Sequence, residues 1–346
     1  MRAVYFERHG PPDVLTLGER PDPRPGPNDV LVRVRACALN RLDLYTRAGQ
    51  RGTRLSLNEP HILGGDIAGD VVEVGGEAER IATGNRVVVN PQLNCRQCTV
   101  CLAGETELCE RRGMIGSSVN GGYAELAVVP ADNCVAFPDG LSYEQAASLP
   151  TVFLPCWSIL VRRGRLRPWE TALILSASSG VGTAGIQVAK RVIGARVITT
   201  TSTEEKAEKA RELGADEVIV YGQENIADRV RELTAGRGVD VVIDHVGADF
   251  WQDASRSLAT GGRYGICGAT TGLKVELQVG LLFVRNQSVF GVFMGRTADL
   301  VRIIDLAAKG TIKGVIAATF PLEEAQDAHR LMEGTNFFGK IVLTVP

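Results

Sequence analysis

Residues 172–190 read ALILSASSGVGTAGIQVAK, an apolar run, a turn of small residues and a helix-forming stretch in direct succession. Glycines in such a strand–turn–helix let the backbone approach a pyrophosphate, whose charge then rests on free N–H groups at a helix N-terminus. The string Gly180-x-Gly182-x-x-Gly185 matches G-x-G-x-x-G. The apolar run ends near Ser176, so the tight turn is expected to start at Ala177 and close at Gly182. Taken alone, the match fits an ordinary βα turn equally well.

The downstream sequence gives the motif its meaning. RVITTT precedes STEEKAEKARELGA, where Ser202 and Glu205 have capping-box spacing. DEVIVY precedes NIADRVRELTAGRG, and VDVVIDHVG precedes DFWQDASRSLATGG. Strands alternating with helices of this length predict βαβ units and a doubly wound parallel sheet over 153–295. Residues 1–152 read instead as short β-branched strands and turns, such as GDVVEVGG and NRVVVNP. Residues 296–346 are mixed and end on the apolar strand GKIVLTV. The chain is thus expected to be α/β, with a β-rich domain beside a dinucleotide-binding one.

Charge bears on which dinucleotide. An NAD site usually carries Asp or Glu at the end of the second strand, to bond the ribose 2′-hydroxyl. Here that place reads Thr199-Thr200-Thr201-Ser202, and Lys206 comes after two glutamates. Hydroxyls and an ammonium suit a 2′-phosphate, so NADP(H) is expected ahead of NAD(H), with Ser202 and Lys206 at that phosphate. A solvent-facing helix lysine is the plainer reading of Lys206.

A second motif concerns a metal. Cys95, Cys98, Cys101 and Cys109 place four of the eight cysteines within fifteen residues, spaced C-x2-C-x2-C-x7-C. Four thiolates complete a tetrahedron around Zn²⁺ and leave no open position. An iron–sulfur cluster would prefer a shorter last spacing and a following proline. Cys37, Cys134, Cys156 and Cys267 lie among apolar neighbours and read as buried free thiols, which suits a reducing cytoplasm.

The bulk numbers exclude several classes. The 346 residues are 45% hydrophobic and 23% charged with a net charge of −2, so no nucleic-acid partner is indicated. No apolar run approaches the roughly 20 residues that span a bilayer, and the N-terminus does not resemble a signal peptide.

GGDIAGDVVEVG (64–75), the four-cysteine stretch (about 91–112), ASSGVGTAGIQVAK and the terminal GKIVL occur in one order. In that order they resemble the medium-chain dehydrogenase/reductase superfamily over essentially the whole chain. The resemblance implies a GroES-like catalytic domain, a Rossmann domain, and a C-terminal segment returning to the first. It assigns the four cysteines to one structural zinc. It also places Ser178, Gly180, Val181, Gly182, Tyr221, Val246, Gly247, Gly268, Gly339 and Lys340 along the cofactor.

The zinc alcohol dehydrogenases of that superfamily carry a second, catalytic zinc. At the matching positions this chain has Asn40, Gly65 and Thr151, offering an amide, a hydrogen and a hydroxyl where thiolate or imidazole is needed. Asp66 cannot hold zinc alone, and His61 has no evident co-ligand. Without zinc, alcohol oxidation loses the group that stabilises the alkoxide. Conjugate reduction demands less, because the charge delocalises into an enolate that hydrogen-bond donors can hold.

That chemistry belongs to the quinone oxidoreductase and enoyl reductase branch, whose Asn-x-x-Asp-x-Tyr segment ALNRLDLYTRAG resembles. By that likeness Asn40 and Tyr45 lie near nicotinamide and substrate. Tyr45 is either a proton or hydrogen-bond donor or a packed aromatic wall. Asp43 and Asp66 read as structural carboxylates, and His245 as a strand-end histidine. The expectation is therefore an NADPH-dependent reductase of enones, enoyl thioesters or quinones. Its rivals are an alcohol dehydrogenase with unrecognised metal ligands and a cofactor-binding protein with little turnover. The strand-like RNQSVFGVFMG suggests sheet extension between copies, as homodimer or homotetramer.

Overall fold

The computed structural model describes residues 1–346, which divide into two compact units. The first comprises Met1–Thr151 and Arg296–Pro346, the second Val152–Gly295.

In the first unit the long strand Asp29–Ala38 organises the packing. It pairs antiparallel with Asp66–Val74 on one side, and with Lys340–Thr344 and Leu126–Pro130 elsewhere along its length. The sheet runs Cys134–Ala136, Arg86–Val89, Asp66–Val74, Asp29–Ala38, Lys340–Thr344, Ile316–Pro321. Val30, Val32, Val34, Cys37, Ile67, Val71, Val87 and Val89 bury one continuous apolar core between its strands. The C-terminal strand is the element that matters for chemistry. Val342 sits opposite Ala38, which brings Lys340 beside Leu39 and Asn40.

A helix, Arg41–Ala48, interrupts the region that reads as strands and turns. Asp43, at its third position, accepts the Asn40 amide proton at 2.7 Å, and Gly49 closes the helix in the left-handed conformation at φ 66°.

The second unit is a six-stranded parallel sheet. Its order is Glu217–Val220, Arg196–Thr201, Thr171–Ile174, Val239–Asp244, Leu258–Ile266, Ser288–Gly291, numbered 3-2-1-4-5-6 within the unit. Strands covered on both faces need continuous apolar runs. Thr171–Ile174 and Val239–Asp244 are accordingly buried at every residue.

Three local expectations change. The helix after the glycine turn is α-helical only over Gly180–Gln187 and continues as a π-helix over Val188–Ile193. A second π-helix covers Ser158–Arg163. The Ser202/Glu205 capping pair is displaced by one residue. Thr203 is the N-cap, and its hydroxyl accepts the Lys206 amide proton. Cys37, Cys134 and Cys156 are buried free thiols, whereas Cys267 is half-buried.

Candidate functional site

In the second unit the glycine turn has the geometry of an anion cradle. Ser176 takes φ 53°, a left-handed conformation that a β-carbon disfavours. The Ser179 hydroxyl caps the following helix by accepting the Gly182 amide proton at 2.8 Å. A Cβ at position 182 would overlap the carbonyl oxygen of Ser176, so only glycine closes this turn. Ser178, Gly180 and Val181, at the start of the helix, are half-buried. His245 reaches the same turn, its Nε2 lying 2.7 Å from Ser179 Oγ.

The neighbouring strand ends complete that face. Asp244 is buried and accepts the amide protons of Val246 and Gly247 at 2.7 and 2.9 Å and the Tyr264 hydroxyl proton at 2.8 Å. Burial pushes its carboxyl above the usual range while these donors pull it back. Gly247 has φ 92°, and Gly268 packs against His245. At the end of the second strand Thr199, Thr200 and Thr201 are buried and Ser202 is exposed. Lys206 is 8% exposed, and its Nζ lies 3.5 Å from Ser202 Oγ. Desolvation lowers its pKa. Tyr221 is half-buried, with its ring edge-on to Phe250 at 5.0 Å.

The first unit holds a different constellation, around Asp66. One oxygen of this fully buried carboxylate accepts the Thr151 hydroxyl and amide protons at 2.6 and 3.1 Å. The other accepts from Asn40 Nδ2 at 3.0 Å and from Lys340 Nζ at 3.2 Å. Lys340 also donates to Asn40 Oδ1 and to the Leu39 carbonyl, both at 2.6 Å. The family resemblance puts Lys340 along the cofactor. Its ammonium instead has all three protons committed to the interior of its own unit, and it is 3% exposed. Gly339 precedes it at φ 113°.

Asn40, Thr151 and Gly65 are the positions where the sequence lacks zinc ligands, and the first two converge on Asp66 with an ammonium between them. A positive charge already neutralises the carboxylate, which disfavours a dication at the same point. At Gly65 a Cβ would come within 2.8 Å of the Ile115 carbonyl oxygen and 3.0 Å of Pro91 Cβ. A histidine side chain has no room there. His61 is occupied with the Gly116 carbonyl at 3.2 Å.

Asp43 lies close by, buried, accepting from the Asn40 and Gly64 amides at 2.7 and 3.1 Å. Burial raises its pKa to about 7 despite those two donors. Tyr45 is half-buried, with the Arg51 guanidinium 4.8 Å above its ring, and its hydroxyl makes no hydrogen bond. Asn40 therefore positions Asp66 and Lys340, whereas the Tyr45 hydroxyl is free to donate.

The cysteine lobe is a separate centre. The four Sγ atoms lie within 4.8 Å of one another, with Cys95–Cys101 and Cys98–Cys109 each at 4.0 Å. A tetrahedron of thiolates around Zn²⁺ has S–S edges of about 3.8 Å, so the cluster needs little contraction. The Gln97 amide pulls the Cys95 thiol down to about 6, while burial and the neighbouring thiols push Cys101 up to about 12. Arg296 holds the lobe through Glu107 at 2.9 and 3.0 Å, and Arg96 through Asp132 at 3.0 Å.

Two family models match this chain. Alcohol dehydrogenase GroES-like domain covers residues 26–139, and zinc-binding dehydrogenase covers residues 180–309. An NAD-dependent alcohol dehydrogenase of Sulfolobus acidocaldarius is 33% identical over 100% of both chains. A quinone oxidoreductase of Pseudomonas aeruginosa is 33% identical over 99% of each. An acryloyl-coenzyme A reductase of Sulfurisphaera tokodaii is 31% identical, also over 99% of each. A crystal structure of an NAD-dependent alcohol dehydrogenase superposes with a TM-score of 0.95 at 41% identity, covering 100% of both chains. With a parallel-sheet Rossmann unit, a GroES-like unit and relatives matched end to end, this chain belongs to the medium-chain dehydrogenase/reductase superfamily and is an oxidoreductase of that type.

Proposed function

We propose that the chain reduces activated carbon–carbon double bonds, of enones or enoyl thioesters, or quinones, using NADPH and no catalytic zinc. The observation that supports this reading is the Lys340–Asp66–Asn40–Thr151 cluster, in which the residues at two of the expected zinc-ligand positions, Asn40 and Thr151, are tied to a buried carboxylate that an ammonium already partners. Relatives named quinone oxidoreductase and acryloyl-coenzyme A reductase support the substrate class. Relatives named NAD-dependent alcohol dehydrogenase favour the rival, alcohol oxidation.

The residues fit the groups required. Gly180, Val181 and Gly182 would hold the pyrophosphate, and Ser202 with Lys206 the 2′-phosphate. When bound, the reduced nicotinamide supplies a hydride to the substrate's β-carbon. The Tyr45 hydroxyl would donate a hydrogen bond to the carbonyl oxygen as negative charge builds there. The α-carbon then takes a proton from Tyr45 or water. Lys340 and Asp66 act at a remove, fixing Asn40 and the start of the Arg41–Ala48 helix that carries Tyr45.

One Zn²⁺ on Cys95, Cys98, Cys101 and Cys109 would order the lobe without touching substrate, since four thiolates leave no open position. The parallel sheet ends in an open edge at Ser288–Gly291, near the exposed Phe283 and Phe293. A second copy pairing along that edge would make a homodimer. Val289→Pro tests this: the wild type should run as a dimer in light scattering and the variant as a monomer. A cytoplasmic location suits the free thiols.

The test of the function is NADPH oxidation against cyclohexenone, crotonyl-CoA and benzoquinone, beside alcohol oxidation with NADP⁺ and NAD⁺. Turnover of at least one acceptor, lowered roughly 10- to 100-fold in kcat/KM by Tyr45→Phe, supports the reading. Chelator-sensitive alcohol oxidation with no acceptor turned over would overturn it.

A further inference from the structure

The cysteine lobe takes no part in the chemistry above, yet its exit reaches the helix that carries Tyr45. The lobe opens from Gln92–Leu93 and closes into Gly113–Met114. These two segments pair antiparallel, Gln92 opposite Met114 and Leu93 opposite Gly113. Asn94 alone separates Leu93 from Cys95, and Glu110, Arg111 and Arg112 separate Cys109 from Gly113. The Cys95 amide reaches Cys109 Sγ at 3.3 Å, so the first and last thiols tie the same two ends together.

The ribbon has little stability of its own. A two-stranded pairing is marginal at best in water, and this one has only two residues per strand. Leu102 and Leu108 are exposed rather than packed together. Zinc on the four thiolates supplies the ordering free energy that apolar burial does not.

Beyond Met114 the chain turns sharply. The Ser117 and Ser118 amides both donate to the Met114 carbonyl, at 3.1 and 2.7 Å, and the Gly116 amide donates to the Val119 carbonyl at 2.9 Å. Gly116 takes φ 79°, and a Cβ there would come within 2.6 Å of the Gly64 nitrogen. The turn therefore lies hard against the backbone that leads to Asp66. From it Ser117 reaches the helix Arg41–Ala48, its Oγ lying 3.0 Å from Thr46 Oγ1. Thr46 is fully buried and directly follows Tyr45.

We propose that Ser117 and Thr46 are positioning residues through which zinc in the lobe fixes the helix that carries Tyr45. The metal keeps the ribbon closed, the ribbon sets the turn at Gly116, and the Ser117–Thr46 bond holds the helix against that turn. A single hydrogen bond of this kind is worth about 2- to 12-fold in an equilibrium constant. Arg47 ties the same half of the helix to the Gly10 carbonyl and His329, so loss of zinc loosens the helix without unfolding it. The catalytic meaning of this coupling rests on the reading that Tyr45 meets substrate. Amide exchange reports the coupling whether or not an acceptor is turned over, so the two can fail separately.

The test is hydrogen–deuterium exchange on the full chain, loaded with zinc and then stripped by a chelator. The reporters are the Gly49 and Gln50 amides, which donate to the Thr46 and Tyr45 carbonyls at 3.2 and 2.9 Å. Stripping should speed their exchange about 3-fold or more, with a smaller change across Asp29–Ala38. In Ser117→Ala and in Thr46→Val the loaded chain should already exchange near the stripped rate, so stripping adds less than about 3-fold. Thr46→Ser keeps the hydroxyl and should restore the wild-type response. The two hydroxyl deletions act from opposite sides of one bond, so either decides if the other fails to fold. The proposal is overturned by a wild type that takes up no zinc or responds less than about 3-fold, or by an equal rise across Asp29–Ala38. A full response in a folded Ser117→Ala or Thr46→Val, or no restoration in Thr46→Ser, would overturn it equally.

Discussion

Replacing Lys340 by methionine keeps most of the aliphatic stem and removes the charge. The ammonium lies 3.2 Å from Asp66, with side-chain exposures of 4% and 0%. At an effective dielectric constant of about 20 that separation corresponds to an attraction of about 5 kcal/mol before desolvation is counted. Removing the cation leaves Asp66 buried and uncompensated, with only Asn40 and Thr151 as donors. Breaking such a pair from one side costs about 3–5 kcal/mol. In a unit of about 200 residues this lowers Tm by roughly 6–20 °C. Removing both charges in Asp66→Asn/Lys340→Met avoids the orphaned carboxylate, so the double variant should be about 2 kcal/mol or more stabler than Lys340→Met alone. Denaturant unfolding of the wild type, both single variants and the double variant measures this. Additive single effects, or a Lys340→Met loss under 1 kcal/mol, would refute the buried-pair account.

Gly182→Ala should abolish dinucleotide binding, because its Cβ overlaps Ser176 O; fluorescence titration with NADPH checks it, and near-native affinity would contradict the turn geometry. Lys206→Glu should cut the preference for NADPH over NADH at least 10-fold in kcat/KM, with NADH turnover little changed. Asp43 titrates near 7 in the folded chain and near 3.8 when unfolded. Between those values unfolding releases a proton, so this group makes stability fall as pH rises from about 4 to 7, by up to about 1.4 kcal/mol per pH unit. Unfolding free energies at pH 5, 6 and 7 should show a shallower fall in Asp43→Asn, and identical slopes would refute the assignment.

The parallel sheet was legible because strands covered on both faces leave unbroken apolar runs such as VDVVID. The thiol cluster was legible because its four cysteines lie within fifteen residues of one another. The Asp66 cluster was not. Lys340 is 300 residues from Asn40 and 274 from Asp66 along the chain, and only the pairing of Lys340–Thr344 with Asp29–Ala38 brings them together. The helix Arg41–Ala48 did leave a signal, the spacing of Asn40, Asp43 and Gly49, which the surrounding β-branched strands obscured. The π-helices Ser158–Arg163 and Val188–Ile193 left none, since no residue type marks i→i+5 bonding as Pro or Gly mark a helix end.

The proposed chemistry stands on two features, a cluster of four cysteines that could close around one zinc and the buried Lys340–Asp66 pair that ties down Asn40 and Thr151. Zinc content per chain, measured on protein purified without added metal, decides between one metal site and two. A value near one is expected, lost on replacing Cys98 and Cys109 by serine. A value near two, with one zinc surviving those replacements, would establish a second metal site and refute hydride transfer without zinc.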